Sequence, residues 1–243
     1  MSPRSTARAA RLVLLLALAV GLGVACGGGG DEASDETTQA TTTQAGPPPA
    51  GTPTEAVEDF LGAVEANDRN LSWALLSSET KTTFQIDYQH WSEVLLPALR
   101  KELKPGGKAV FSKRFGKDRA FIVLEGVEKG APFPAALRAE DGGWRIEMFY
   151  PEFNPTRPIA GERVKAGRNR MTLDIVRRRD QNMNVRVWLD GKPLTTTIET
   201  RGNFLNTYEA TYDVKPGKHV LMAYATTAEG LSGATAWPFT ARR

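Results

Sequence analysis

The sequence predicts two folded modules behind a disordered tether. The first is an α+β module of helices packed on a curved antiparallel sheet, and the second is an all-β sandwich. Three observations carry this. Residues 53–150 open with apolar residues at a helical period and then change to the two-residue period of strands. Residues 157–243 hold only short strand-like runs with turn signals between them. Residues 27–52 hold almost nothing that could enter a core.

The helical half begins at Thr52-Pro53-Thr54-Glu55. Thr52 suits the N-cap, Pro53 the first helical position, and Glu55 the reciprocal bond of a capping box. Val57, Phe60, Leu61 and Val64 then form one stripe at i, i+3, i+4 and i+7, and Asn67-Asp68 ends the helix. Leu71–Leu76 is a short second helix. Trp91, Val94, Leu95, Ala98 and Leu99 mark a third, which Pro97 kinks or restarts. Strands follow at Lys108–Phe115, Arg119–Gly126, Phe133–Glu140 and Trp144–Phe149. Gly116-Lys117-Asp118 and Asp141-Gly142-Gly143 supply the hairpin turns.

Pro151, Pro155 and Pro158 mark the boundary, because proline cannot donate to a strand ladder. Beyond them, strands are expected at Met171–Val176, Asn184–Leu189, Thr195–Thr200, Tyr208–Val214, His219–Thr226 and Ala234–Thr240. A short early one falls at Glu162–Lys165. Six or seven strands in about 90 residues argue a sandwich.

Ahead of the modules, Arg4, Arg8 and Arg11 precede the apolar run Leu12–Val24, which is too short for a spanning helix of roughly 20 residues. Residues 1–25 therefore read as a cleaved export signal. Gly23-Val24-Ala25-Cys26 resembles the lipobox of bacterial lipoproteins, with Gly23 standing where an apolar residue is usual. That resemblance implies a lipid on Cys26, anchorage to the extracytoplasmic face of the cell membrane, and the membrane as first partner. Cys26 is the only cysteine, so no intrachain disulfide can form and each module must rely on its core. Residues 26–52 then form the tether, a coil of roughly 28 Å end to end.

The chain carries 31 Lys+Arg against 28 Asp+Glu, but residues 1–25 hold three arginines and no acid. The mature chain is therefore balanced, which removes the basis for a nucleic-acid partner. Charge is instead divided by region. Residues 151–243 hold 15 bases and 9 acids, whereas residues 27–150 hold 13 and 19. Arg177, Arg178 and Arg179 form a candidate basic patch for an anionic wall polymer or lipid headgroups.

Ala56-Val57-Glu58-Asp59-Phe60-Leu61, Trp73-Ala74-Leu75-Leu76-Ser77 and Asp141-Gly142-Gly143-Trp144-Arg145-Ile146 together resemble the nuclear-transport-factor-2-like cone. That family includes isomerases and cyclases that work in the pocket between helix and sheet, which implies small-molecule binding or an isomerase-type activity as the alternative role. The resemblance makes Asp87, Tyr88, His90 and Glu147 candidate pocket residues, since a carboxylate in an apolar cavity can serve as a base. The plainer reading has Asp87 capping the third helix, Tyr88 and His90 on its wet face, and Glu147 alternating outward. A similar cone precedes some penicillin-binding proteins, which raises an accessory role in wall synthesis. Ser78-Glu79-Thr80-Lys81 fits the Ser-x-x-Lys pattern, but neither Ser-Asp-Asn nor Lys-Thr-Gly follows it, so it is set aside. Pro216-Gly217-Lys218-His219-Val220-Leu221, Ala228-Glu229-Gly230 and Trp237-Pro238-Phe239 resemble bacterial immunoglobulin-like repeats, which implies spacing or adhesion. The two histidines are too few for a histidine-rich zinc site. The expectation is thus a non-enzymatic binding or scaffolding lipoprotein of the cell envelope, without metal or cofactor, whose partner is an envelope protein or wall polymer.

Overall fold

The computed structural model describes residues 51–243 apart from 105, 129–130, 149–150, 177–182 and 202–203. The export signal, Cys26, nearly all of the tether, and Arg177, Arg178 and Arg179 lie outside the described residues.

The helices come first: α1 (Pro53–Ala66), α2 (Arg69–Ala74), α3 (Ser78–Thr83), α4 (Tyr88–His90) and α5 (Leu96–Glu102). The capping box forms as expected, with the Glu55 amide donating to Thr52 Oγ1 at 3.2 Å and the Thr52 amide to Glu55 Oε2 at 2.8 Å. Between α4 and α5 the chain makes a π-helical turn, Trp91–Leu95. Pro97 explains it: proline has no N–H for the α ladder and crowds the carbonyl four residues back, and the wider turn accommodates both.

Thirteen strands build three sheets among the described residues. The first contains β1 (Lys108–Phe115), β2 (Arg119–Glu128), β3 (Ala131–Glu140) and β4 (Gly143–Glu147) in that order, all antiparallel. The second has the order β10 (Thr197–Arg201), β11 (Leu205–Val214), β7 (Gly167–Val176), β5 (Glu152–Arg157). The third has the order β6 (Arg163–Lys165), β13 (Ser232–Arg242), β12 (Gly217–Thr227), β8 (Met183–Leu189), β9 (Lys192–Leu194). Within it β6 runs parallel to β13.

Two expectations need correction. Strand accounts for 56% of the described residues and helix for 23%, so the α+β cone expected over residues 53–150 is not the architecture. A cone offers one sheet face to its helices and leaves the hollow between them open. Here that hollow is solid, filled by Phe60, Leu61, Trp91, Leu95, Leu124, Leu137 and Ile146. The other face of the first sheet is buried too, because Phe121, Val123 and Ala136 pack against Trp188, Met222 and Tyr224 of the third sheet. The near-continuous apolar run of β2 reflects this two-sided burial. The second correction concerns Pro155, which marks the expected boundary between the modules but lies within β5. The strand is an edge strand whose register shifts between Pro155 and Arg157, and an edge with a bulge is where a strand tolerates proline.

The second and third sheets face each other as a β-sandwich. Leu173, Ile175, Tyr208 and Tyr212 from one side meet Val187, Leu221, Trp237 and Phe239 from the other. The third sheet is therefore shared. Its inner residues fill the sandwich, while its outer residues (Trp188 on β8, Met222 and Tyr224 on β12) form an aromatic seam with the first sheet. In that seam Phe115 stacks on Tyr224 with centroids 4.5 Å apart, and Phe121 lies 5.8 Å from Trp188.

Candidate functional site

Register builds an unusual row on the seam face. Arg119 of β2 lies directly opposite Arg138 of β3, which lies opposite Arg145 of β4. Side chains directly opposite on one face are about 5 Å apart, so like charges there repel. Glu147, two residues from Arg145 on the same face, supplies the counter-charge. Arg119 Nη1 donates to both Glu147 oxygens at 3.1 and 3.0 Å, and Arg138 Nε donates to Oε1 at 2.7 Å. The Glu147 side chain is only 2% exposed. Burial pushes its carboxyl above the ordinary range, against the opposing pull of Arg119 and Arg138.

The cluster reaches the surface through a polar cavity of about 350 Å³ lined by Ser78, Asp118, Arg119, Arg138, Glu140 and Asp141. The turns after β1 and after β3 bring Asp118 and Asp141 to the same end of the sheet, Asp141 with φ of 50°. The N-terminus of α3 joins them where the Ser78 amide donates to Glu140 Oε2 at 2.9 Å. Arg138 also pairs with Glu79 at 3.6 Å and donates through Nη2 to the Gly230 carbonyl in the β12–β13 turn. Two guanidiniums, one buried carboxylate and a backbone carbonyl from the sandwich thus form a clasp across the seam. Arg119 Nη1 and Arg138 Nε and Nη2 already meet acceptors within the protein.

The four candidate pocket residues do not converge. Asp87 caps α4, its Oδ1 accepting from the His90 amide at 2.6 Å. Tyr88 is 41% exposed and donates to Asn70 Oδ1 at 2.6 Å. His90 lies on the same short, half-exposed turn. All three belong to the helical face of the first sheet, whereas Glu147 is buried on the opposite face, neither outward in solvent nor in a cavity with them. In the Ser-x-x-Lys stretch, Lys81 Nζ sits 4.5 Å from the Trp73 ring, and burial lowers its pKa, Arg145 adding to that effect and Glu140 opposing it.

No local pattern in the sequence singles out Arg119 or Arg138. The readable signal was the alternation Trp144-Arg145-Ile146-Glu147, which sets Arg145 and Glu147 on one face. The missing fact was that this face is covered. At the far end of the sandwich, His219 Nδ1 lies 2.7 Å from Asp190 Oδ2 and Nε2 lies 2.8 Å from the Lys215 carbonyl. Both ring nitrogens therefore face acceptors. Among the described residues no group of three or more His, Cys, Asp or Glu is arranged to hold a metal ion. No helix among them is long and apolar enough to cross a membrane.

No protein-family model matches the chain, and no curated protein matches it. Among solved structures it is similar to an engineered protein at 18% identity and a TM-score of 0.29, over 38% of this chain and 20% of that one. It is also similar to CopC from Methylosinus trichosporium OB3b at 14% identity and a TM-score of 0.29, over 38% of this chain and 93% of that one. The chain thus spans about a fifth of the engineered protein.

Proposed function

We propose that this protein is an exported lipoprotein, held to the extracytoplasmic face of the cell membrane by a lipid on Cys26, that works as a non-enzymatic binding or scaffolding body of the envelope. On this reading the acidic tether of residues 27–52 sets its reach, and the sandwich is an immunoglobulin-like spacer. The observation that carries the proposal is the seam. Two apolar sheet faces, a ring cluster and the Arg119–Glu147–Arg138 clasp fuse the helical module to the sandwich, which suits a part that must present its surfaces at a fixed angle. The lipobox-like Gly23-Val24-Ala25-Cys26 supports the anchorage.

The test is fractionation. The native chain should sediment with membranes and yield an N-terminal peptide bearing a thioether-linked diacylglycerol by mass spectrometry. Cys26→Ala should move it to the soluble exported fraction. Retention of Cys26→Ala in the membrane would overturn the anchor.

A further inference from the structure

A groove runs where the first sheet overhangs the third. Its volume is about 280 Å³, and Phe111, Lys113, Arg186, Trp188, Pro193 and Leu194 line it. The floor is aromatic, with the rings of Phe111 and Trp188 5.3 Å apart. The rim is basic: Lys113 is exposed, and the Arg186 guanidinium sits 4.8 Å above the Phe115 ring.

Two free sheet edges border this groove. β1 ends the first sheet and β9 ends the third, and among the described residues neither outer edge is paired. A free edge is a row of unused backbone donors and acceptors, the template for strand addition. Residues 108–117 (Lys-Ala-Val-Phe-Ser-Lys-Arg-Phe-Gly-Lys) carry four bases and no acid. That charge selects the occupant. A second copy pairing through the same edge would bring four bases against four more, which disfavours self-association. A strand carrying carboxylates would instead meet Lys113 on one face and Arg114 on the other. Phe111, Lys113 and Phe115 alternate on the seam-facing side, so every second side chain of an added strand would point into the groove.

We propose that the groove takes an extended acidic peptide from an envelope partner. The peptide adds to the outer edge of β1 and seats one apolar side chain between Phe111, Trp188 and Leu194. This names the partner class for the binding role proposed above and rests on that role, but not on the lipid.

The test uses the purified full chain and a labelled seven-residue peptide of alternating threonine and glutamate around a central phenylalanine. Its control has lysine in place of glutamate. The glutamate peptide should bind, read by fluorescence anisotropy, at least about tenfold more tightly than the lysine peptide, with the difference shrinking in high salt. It should slow amide hydrogen exchange within residues 108–115. Lys113→Glu, at an exposed position, should cost about tenfold in affinity for the glutamate peptide, and Lys113→Arg should restore it. Equal binding of the two peptides, protection elsewhere, or no binding would overturn the proposal. So would protection of residues 108–115 in the unliganded full chain that vanishes when residues 27–50 are deleted, which would make the acidic tether the occupant. None of these outcomes bears on membrane anchorage, which Cys26→Ala decides separately.

Discussion

Arg138 holds Glu147 with one nitrogen and the sandwich with another. Its Nε donates to Glu147 Oε1 at 2.7 Å while its Nη2 donates to the carbonyl of Gly230. One guanidinium therefore links a buried carboxylate of the first sheet to a turn of the third.

Removing the carboxylate leaves two facing arginines without a counter-charge. Glu147→Gln keeps the shape and deletes the charge. Breaking one side of a buried pair costs roughly 3–5 kcal/mol. The lower end, about 3 kcal/mol, is expected here because Arg119 and Arg138 reach the polar cavity, with side chains 14% and 18% exposed. The measurement is the urea midpoint of the variant against the native chain at equal m-value. An unchanged midpoint would remove the clasp from the account of stability.

Gly230 is where a methyl group would be felt. Its φ is +88°, and a Cβ built there would lie 3.1 Å from Arg119 Nη2. Gly230→Ala should therefore destabilise by about 1–2 kcal/mol from the left-handed backbone alone. It should also push Arg119 off Glu147. Melting temperature reads the first effect, expected to fall by roughly 2–4 °C per kcal/mol. A double-mutant cycle with Glu147→Gln reads the second, and strict additivity would show that the turn and the clasp are independent.

His219 gives the sandwich a pH dependence of known sign. Burial lowers its pKa, but the bonds to Asp190 and to the Lys215 carbonyl raise it further, to a value above the ordinary 6.5. The folded state thus binds this proton more tightly than the unfolded chain. The stabilisation is fully present below about pH 6.5 and is lost as pH rises through the folded value. His219→Gln should flatten stability across that window, and the Hε1 resonance of the native protein should titrate above 6.5. A native midpoint below 6.5 would reverse the sign and refute the assignment.

The seam predicts cooperativity. Trp188 touches Phe111, Phe115 and Phe121 at centroid distances of 5.3, 6.1 and 5.8 Å. Trp188→Ala should cost about 3–5 kcal/mol. Calorimetry of the native chain should show one transition, and the variant should show two as the helical module and the sandwich come apart. Two transitions in the native chain would mean that the seam does not couple them.

Local signals were legible in the sequence where local physics decides. Thr52, Pro53 and Glu55 announced a capping box because the whole motif lies within one turn. The stripe of Val57, Phe60, Leu61 and Val64 showed the buried face of α1, a near-continuous apolar run marked β2, and turn signals bounded β1 and most sandwich strands. Coverage of a face was not legible. Arg145 and Glu147 alternate with apolar Trp144 and Ile146, a pattern that describes a solvated face unless another sheet lands on it. Whether one does depends on Trp188 and Tyr224, some 40 and 80 residues away. Pro155 was illegible for a separate non-local reason: its place in β5 depends on pairing with β7, whose Leu173 lies opposite it.

β13, the last strand among the described residues, does not lie at an edge. It lies between β12 and β6, sends Trp237 and Phe239 into the sandwich, and offers Ala234 and Ala236 to the seam. A nascent chain that stops short of Ser232 lacks material for both interiors at once and exposes a flank of β12. Closure of either interior therefore waits for residues 232–242, which serve the sandwich and the seam together.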